Sequence, residues 1–315
     1  MSADAAIDAA AAAPHTLAYN HVSLTYPGTV EPVCALQDYN LTVARSEPIA
    51  LIGPSGCGKT TSLFLAAGLL KPTSGQVLVA GQAPTKPRLE TALILQDFGL
   101  LPWKTVAENA ALGLRIRHFT RPERRERTQQ ALDQVGLAPF ARHYPDELSG
   151  GMRQRLALAR ALALDVDLLL MDEPLSAVDA LLREGLQDML LTLWQNRGYA
   201  QVLVTHSIEE AVFLGRRILV MSPRPGRIAT SISNPHMGTL DYRGTQEFYQ
   251  ICQQVRQALH NDTSDTPTAA TAPGPREASQ VVTPGVPTSA APAPASAPNP
   301  AATPPTTAPG PAGDR

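Results

Sequence analysis

The sequence predicts an α/β fold arranged as a sandwich, with an antiparallel β layer in front and a helical insert in the middle. Two observations predict it. Short β-rich runs alternate with helical stretches along most of the chain, and the runs are of two kinds. Some alternate apolar and polar residues, as a half-exposed strand does, while others are continuously apolar, as a buried parallel strand is. No internal repeat is visible, so the order of elements is the guide to architecture.

Taken in order, Leu17–Tyr26 and Ala35–Ala44 alternate and form the antiparallel layer. Pro48–Gly53, Ala92–Gln96, Asp167–Asp172 and Gln201–Thr205 are the continuous apolar runs. Helices are expected over Lys59–Leu70, Arg121–Val135, Gly151–Leu164 and Asp179–Asn196. Thr120 and Glu123 form a capping-box pair in front of the second. Gly185 falls inside the last, where glycine costs up to about 1 kcal/mol relative to alanine.

The chain has 315 residues, of which 43% are hydrophobic and 17% charged, a balance that suits a globular protein. A net charge of -2 argues against a nucleic-acid binder, which needs a basic excess to neutralise phosphates. Cys34, Cys57 and Cys252 are widely spaced and odd in number, without a CxxC, and are expected as reduced thiols. No run approaches the roughly 20 apolar residues of a spanning helix, and the N-terminus lacks a basic start followed by an apolar stretch. The chain is therefore expected in the cytosol, reaching a membrane only by docking onto a protein that spans it. The ordered domain is expected over 17–260, between a disordered alanine-rich leader (1–16) and a disordered Pro/Ala/Thr-rich tail (261–315) that has too little apolar surface to offset chain entropy.

Gly53, Pro54, Ser55, Gly56, Cys57, Gly58, Lys59 and Thr60 match the phosphate-binding loop GxxxxGK[ST], between an apolar strand and a helix start, with Thr61 next in line. Its glycines allow backbone N–H groups to converge on an anion, and the helix N-terminus adds positive potential. Lys59 is placed to reach the β and γ phosphates and Thr60 to ligate Mg²⁺. Cys57 reads as a small loop residue rather than a redox switch. Leu168–Pro174 is an apolar strand ending in Asp172 and Glu173, at the carboxyl edge where α/β sheets bind ligands. Side chains alternate along a strand, so Asp172 can hold Mg²⁺ while Glu173 faces an attacking water as general base. Without the phosphate loop, these acids would read as a cap for the next helix. His206 and Gln96 each close an apolar strand. His206 could bond the γ-phosphate and the general base, and Gln96 could ligate Mg²⁺ or position water, although each also has an ordinary structural reading.

Leu148–Arg155, reading LSGGMRQR, resembles the signature motif of the ATP-binding-cassette (ABC) transporter ATPases. The family's other motifs stand in order: Tyr26 at the place of the adenine-stacking aromatic, the phosphate loop, Gln96, the signature, Asp172 and Glu173, the run from Ser176 to Asp179, and His206. The resemblance spans about Leu17 to His260 and implies a P-loop NTPase cassette that hydrolyses ATP with Mg²⁺. Ser149, Gly150 and Gly151 open a helix and offer a second anion site without a lysine. In the family two such domains pair head to tail, each ATP lying between one chain's phosphate loop and the other's signature. The implied pair is a second copy of this chain or a similar ATPase. Departures are small: Ser46 precedes Glu47 where glycine is usual, Leu95 stands for phenylalanine, and Val178 stands for leucine.

A lone cassette without membrane helices, long coiled-coil insertion or tandem second cassette resembles an importer subunit rather than an exporter half, a DNA-repair ATPase or a translation factor. Phe98–Trp103 and Met221–Ile228 look like the nitrate, sulfonate and taurine branch. That resemblance implies transmembrane permease subunits as partners, a periplasmic solute-binding protein as an indirect one, no nucleic acid, and residence on the cytoplasmic face of a bacterial inner membrane. The alternative is a soluble regulatory ATPase acting on a protein or nucleic acid. Leu100, Leu101, Pro102 and Trp103 are expected on the surface that receives the permease, or else as filling between the helical insert and the sheet.

Overall fold

A computed structural model of the protein describes residues 15–28, 31–176, 178 and 180–264. Two sheets carry the fold. In the first, β1 (His15–Tyr26) lies between β2 (Val33–Ala44) and β4 (Ser74–Val79), antiparallel to both. The second has the order β5 (Thr91–Ile94), β6 (Leu168–Asp172), β7 (Ala200–Val204), β3 (Pro48–Ile52), β8 (Arg217–Met221) and β9 (Ile228–Ser233), parallel except at the β8–β9 edge.

The continuous apolar runs have a physical reason: every residue of β3, β6 and β7 is buried. On one face, Ile49, Leu51, Leu168, Leu170, Val202 and Val204 pack with Tyr19 and Leu36 of the antiparallel layer and with Leu63 of α1 (Lys59–Ala66). On the other, Ala50, Ile52, Leu169, Met171 and Leu203 pack under α5 (Gly150–Leu162) and α6 (Ala180–Arg197). Side chains that alternate across a pleat thus feed two cores.

Between β5 and β6 the chain makes the expected helical insert: α2 (Val106–Ala110), α3 (Leu112–Ile116), α4 (Arg121–Gln134) and the long α5. The Glu123 carboxylate accepts from the Thr120 N–H at 2.9 Å, closing the predicted box. After β7 follow α7 (Ile208–Leu214) and, beyond β9, α8 (Gln246–Ser264). Neither was predicted, nor were β4, β8, β9, α2 and α3.

Several boundaries differ from expectation. β1 begins at His15, which pairs with Ala44. α1 ends at Ala66, short of Leu70, because the chain turns at Gly68 (φ 71°). β5 ends at Ile94, so Gln96 lies past the strand. α8 continues beyond His260, held by buried Phe248, Ile251, Cys252 and Val255 at helical spacing. Ser46 takes φ 58°, a left-handed conformation that explains why glycine suits that turn. Among the described residues, no helix is long and apolar enough to cross a membrane.

Candidate functional site

Strand register gathers the candidates at one sheet edge. Ile52 pairs with Val220, Ile94 with Met171, and Asp172 with Val204. The phosphate loop, the Gln96 turn, the acid pair, the His206 turn and the segment after β8 therefore leave the sheet together, as ligand-binding segments of open α/β sheets do.

One cavity of about 380 Å³ is lined by Tyr26, Val33, Ala35, Ser55, Gly56, Gly58, Lys59, Thr60, Thr61, Glu173 and Arg224. Gly56 (φ 76°) and Gly58 (φ 100°) take backbone conformations that L side chains rarely adopt. At Gly58 a Cβ would also lie 2.7 Å from the Leu36 Cδ2. The Lys59 ammonium is buried and donates to the carbonyls of Gly53 and Pro54 at 2.8 and 2.9 Å. At the far end Tyr26 Oη meets Thr61 Oγ1 at 3.2 Å, fixing the ring at the cavity wall. Cys57 is buried and its thiol is pushed up by that burial, partly offset by Lys59, which suits an inert loop residue.

Asp172 and Glu173 diverge, but the pleat is only part of the cause. The strand ends at Asp172, and Glu173 takes φ 46° while its N–H donates to the Val204 carbonyl at 2.9 Å. The left-handed turn brings Glu173 to the phosphate-loop cavity. Asp172 instead lines a neighbouring cavity of about 680 Å³ with Leu95, Gln96, Asp97 and Ser176. Burial pushes the Asp172 carboxyl up, and a hydrogen bond from Thr60 opposes this. Thr60, Asp172 and Gln96 are oxygen donors of the kind that suits a hard cation with water and phosphate completing its shell. Among the described residues, no group of three or more His, Cys, Asp or Glu forms a metal cage.

His206 Nδ1 lies 3.2 Å from Glu173 Oε2. The turn carrying His206 is built on Thr205, whose hydroxyl donates to the buried Glu210 at 2.6 Å and accepts from the Ser207 N–H at 3.0 Å. Ser149 caps α5, its hydroxyl accepting from the Met152 N–H at 3.3 Å, and Gly150 and Gly151 form its first turn. These three line neither cavity. Asp179 lies outside the described residues. Three cavity residues escaped the sequence reading, in two different ways. Val33 and Ala35 carry no signal, whereas Arg224 sits in the Met221–Ile228 run whose wording stood out without a role.

The loop after Gln96 divides the Leu100–Trp103 cluster. Leu100 packs against the core, Leu101 is half-buried, and Trp103 is 71% exposed, so filling of an internal groove does not describe Trp103. The fully buried Asn109 anchors this loop, bonding the Leu101 N–H at 2.9 Å and the carbonyls of Leu101 and Lys104 at 3.1 and 3.0 Å. Arg160 of α5 donates to Phe98 and Gly99 carbonyls beside it.

Comparison with known proteins agrees with this geometry. A family model described as ABC transporter matches residues 36–176. A taurine import ATP-binding protein of Burkholderia thailandensis is 47% identical over 212 residues, 67% of this chain and 82% of that protein. One from Yersinia pestis is 45% identical over 199 residues, 63% of this chain and 78% of that protein. A solved ATP-binding cassette, dimeric in a post-hydrolysis state with ADP and Pi, superposes with TM-score 0.63 at 32% identity. It matches 69% of this chain and 98% of its own.

Proposed function

We propose, from the premise that this chain belongs to the ABC transporter family, that it is the ATP-hydrolysing subunit powering import of a small solute across a membrane. The observation that carries the reading is the Glu173–His206 pair at 3.2 Å, with Glu173 facing the phosphate-loop cavity. Phosphoryl transfer to water needs a positioned base, an anion cradle and charge neutralisation more than covalent chemistry. Glu173 orients and deprotonates the attacking water, while His206 holds the Glu173 carboxylate and faces the transferred phosphate. Loop amides and Lys59 hold the β and γ phosphates, and Tyr26 supports the adenine. Mg²⁺, when bound, neutralises phosphate charge, with Thr60, Asp172 and Gln96 as the residues fitted to hold it.

Ser149, Gly150 and Gly151 lie apart from both cavities, which supports a composite site completed by the signature of a second chain. The ATP-binding domain corresponds to about 15–264. The names of its relatives favour a sulfonate such as taurine as the solute. They also favour permease subunits as direct partners, a solute-binding protein as an indirect one, and the cytoplasmic face of a bacterial inner membrane as the location.

Replacing the base separates binding from chemistry. Glu173→Gln is expected to bind ATP normally while slowing hydrolysis about 10² to 10⁴-fold, and to accumulate an ATP-stabilised dimer in sedimentation with Mg-ATP. Turnover at the wild-type rate would remove Glu173 from this role.

A further inference from the structure

Of the charged groups lining the phosphate-loop cavity, the Arg224 guanidinium has no role in the reading above. We infer that Arg224 is a second cation of the nucleotide site, contacting the phosphate chain of bound ATP or ADP alongside Lys59. The inference rests on that cavity being the nucleotide site.

The backbone directs Arg224 there. β3 and β8 are parallel neighbours, so the phosphate loop and residues 222–227 emerge side by side. The second segment is then clamped. The Gly226 N–H donates to the Ala35 carbonyl at 2.9 Å and its carbonyl accepts from Gln37 at 3.2 Å. A Cβ at Gly226 would come within 1.9 Å of the Cys57 carbonyl oxygen, so glycine alone lets the segment lie flat on the phosphate loop. From the other side, the Ser222 hydroxyl accepts from the Arg227 N–H at 3.2 Å, closing the segment into a tight turn.

This turn presents Arg224 to Gly56. Its Nε donates to the Gly56 carbonyl at 3.3 Å, and a terminal nitrogen lies 3.1 Å from where a Gly56 Cβ would stand. Among the described residues Arg224 is in none of the ion pairs, and its side chain is exposed. Lys59, the other cation, is buried on loop carbonyls. A guanidinium with one N–H on the loop keeps further donors in its fork for phosphate oxygens, a geometry that an ammonium lacks.

The test measures ATP and ADP binding to the full chain by calorimetry at low and high salt, for wild type, Arg224→Gln, Arg224→Lys and Arg224→Ala. Arg224→Gln keeps an N–H for the Gly56 carbonyl and removes the charge. It is expected to weaken both nucleotides roughly tenfold and to flatten the salt dependence of binding, while Arg224→Lys, which keeps the charge but not the fork, retains the salt dependence and recovers only part of the affinity. Arg224→Ala should resemble Arg224→Gln, with an unchanged melting temperature. If Arg224→Gln binds like wild type with the same salt dependence, Arg224 serves only to position the loop and the inference is overturned. If wild type itself binds neither nucleotide, the reading of the cavity falls and takes this inference with it.

Discussion

Glu210 is an acid in a place where ionisation is unfavourable. It is 3% exposed, its Oε2 accepts from Thr205, and its Oε1 has no hydrogen-bond partner among the described residues. Burial raises its pKa to about 7 against the Thr205 hydrogen bond, with Arg183 and His206 pulling down and Glu173 pushing up. A folded-state value above the unfolded one means stability that is fully present below about pH 4.5 and is lost as pH rises through about 7. Each tenfold change in acidity corresponds to about 1.4 kcal/mol. Glu210→Gln keeps an oxygen for Thr205 and cannot ionise. Denaturant unfolding at a series of pH values should therefore show the wild type losing on the order of 2 kcal/mol more than the variant between pH 5 and pH 8. Parallel profiles for the two proteins would show that Glu210 is not the titrating group. Nothing in the sequence announced this residue, since a glutamate on a short helix ordinarily faces water and only the fold buries it.

Among the elements, the helical insert has the most to gain from a partner. Ala107, Ala111, Leu132 and Ala141 floor a cavity of about 300 Å³ between α2, α3 and α4, rimmed by Arg115, Arg121 and Arg124. On the loop entering α2, Trp103 stands in solvent while Asn109 fixes the backbone beneath it, so the exposed ring is presented by a rigid base. Tryptophan is enriched at interface hot spots, and a ring held out on a fixed backbone suits that use. Trp103→Ala should lower the affinity for permease by roughly 2 kcal/mol or more, measured by co-purification or calorimetry, with basal hydrolysis and melting temperature unchanged. A variant that melts early would instead assign the ring to packing. The buried strands and the capped α4 were legible because their patterns are long or doubly marked. β9 was hidden because it is an edge strand with Ile232 as its one buried residue. The seam of α8 was legible in principle, at Phe248, Ile251, Cys252 and Val255, but it runs directly into low-complexity sequence that masked where the helix ends.

At the scale of the whole molecule, the separation of the signature from the phosphate loop decides how many chains make one working site. Motif order predicted each half, because a glycine loop and a capped helix start are local patterns, whereas their separation is a property of the folded chain. In a head-to-tail pair each site takes its phosphate loop from one chain and its signature from the other, and the pair is closed by a two-fold axis. That arrangement makes a prediction single mutants cannot. Lys59→Ala should abolish both sites of its homodimer through the phosphate loop, and Ser149→Arg should abolish both sites of its own by placing a bulky cation at the α5 N-terminus, where the helix dipole disfavours it. Mixed, half of the dimers pair one chain of each kind. One of their sites then carries both defects, and the other joins an intact Lys59 loop to an intact signature. Phosphate release from an equimolar mixture should therefore recover to roughly a quarter of the wild-type rate if chains exchange freely and sites act independently. Were each chain to use its own signature, every site in the mixture would keep one defect, and the mixture would stay as inactive as its components.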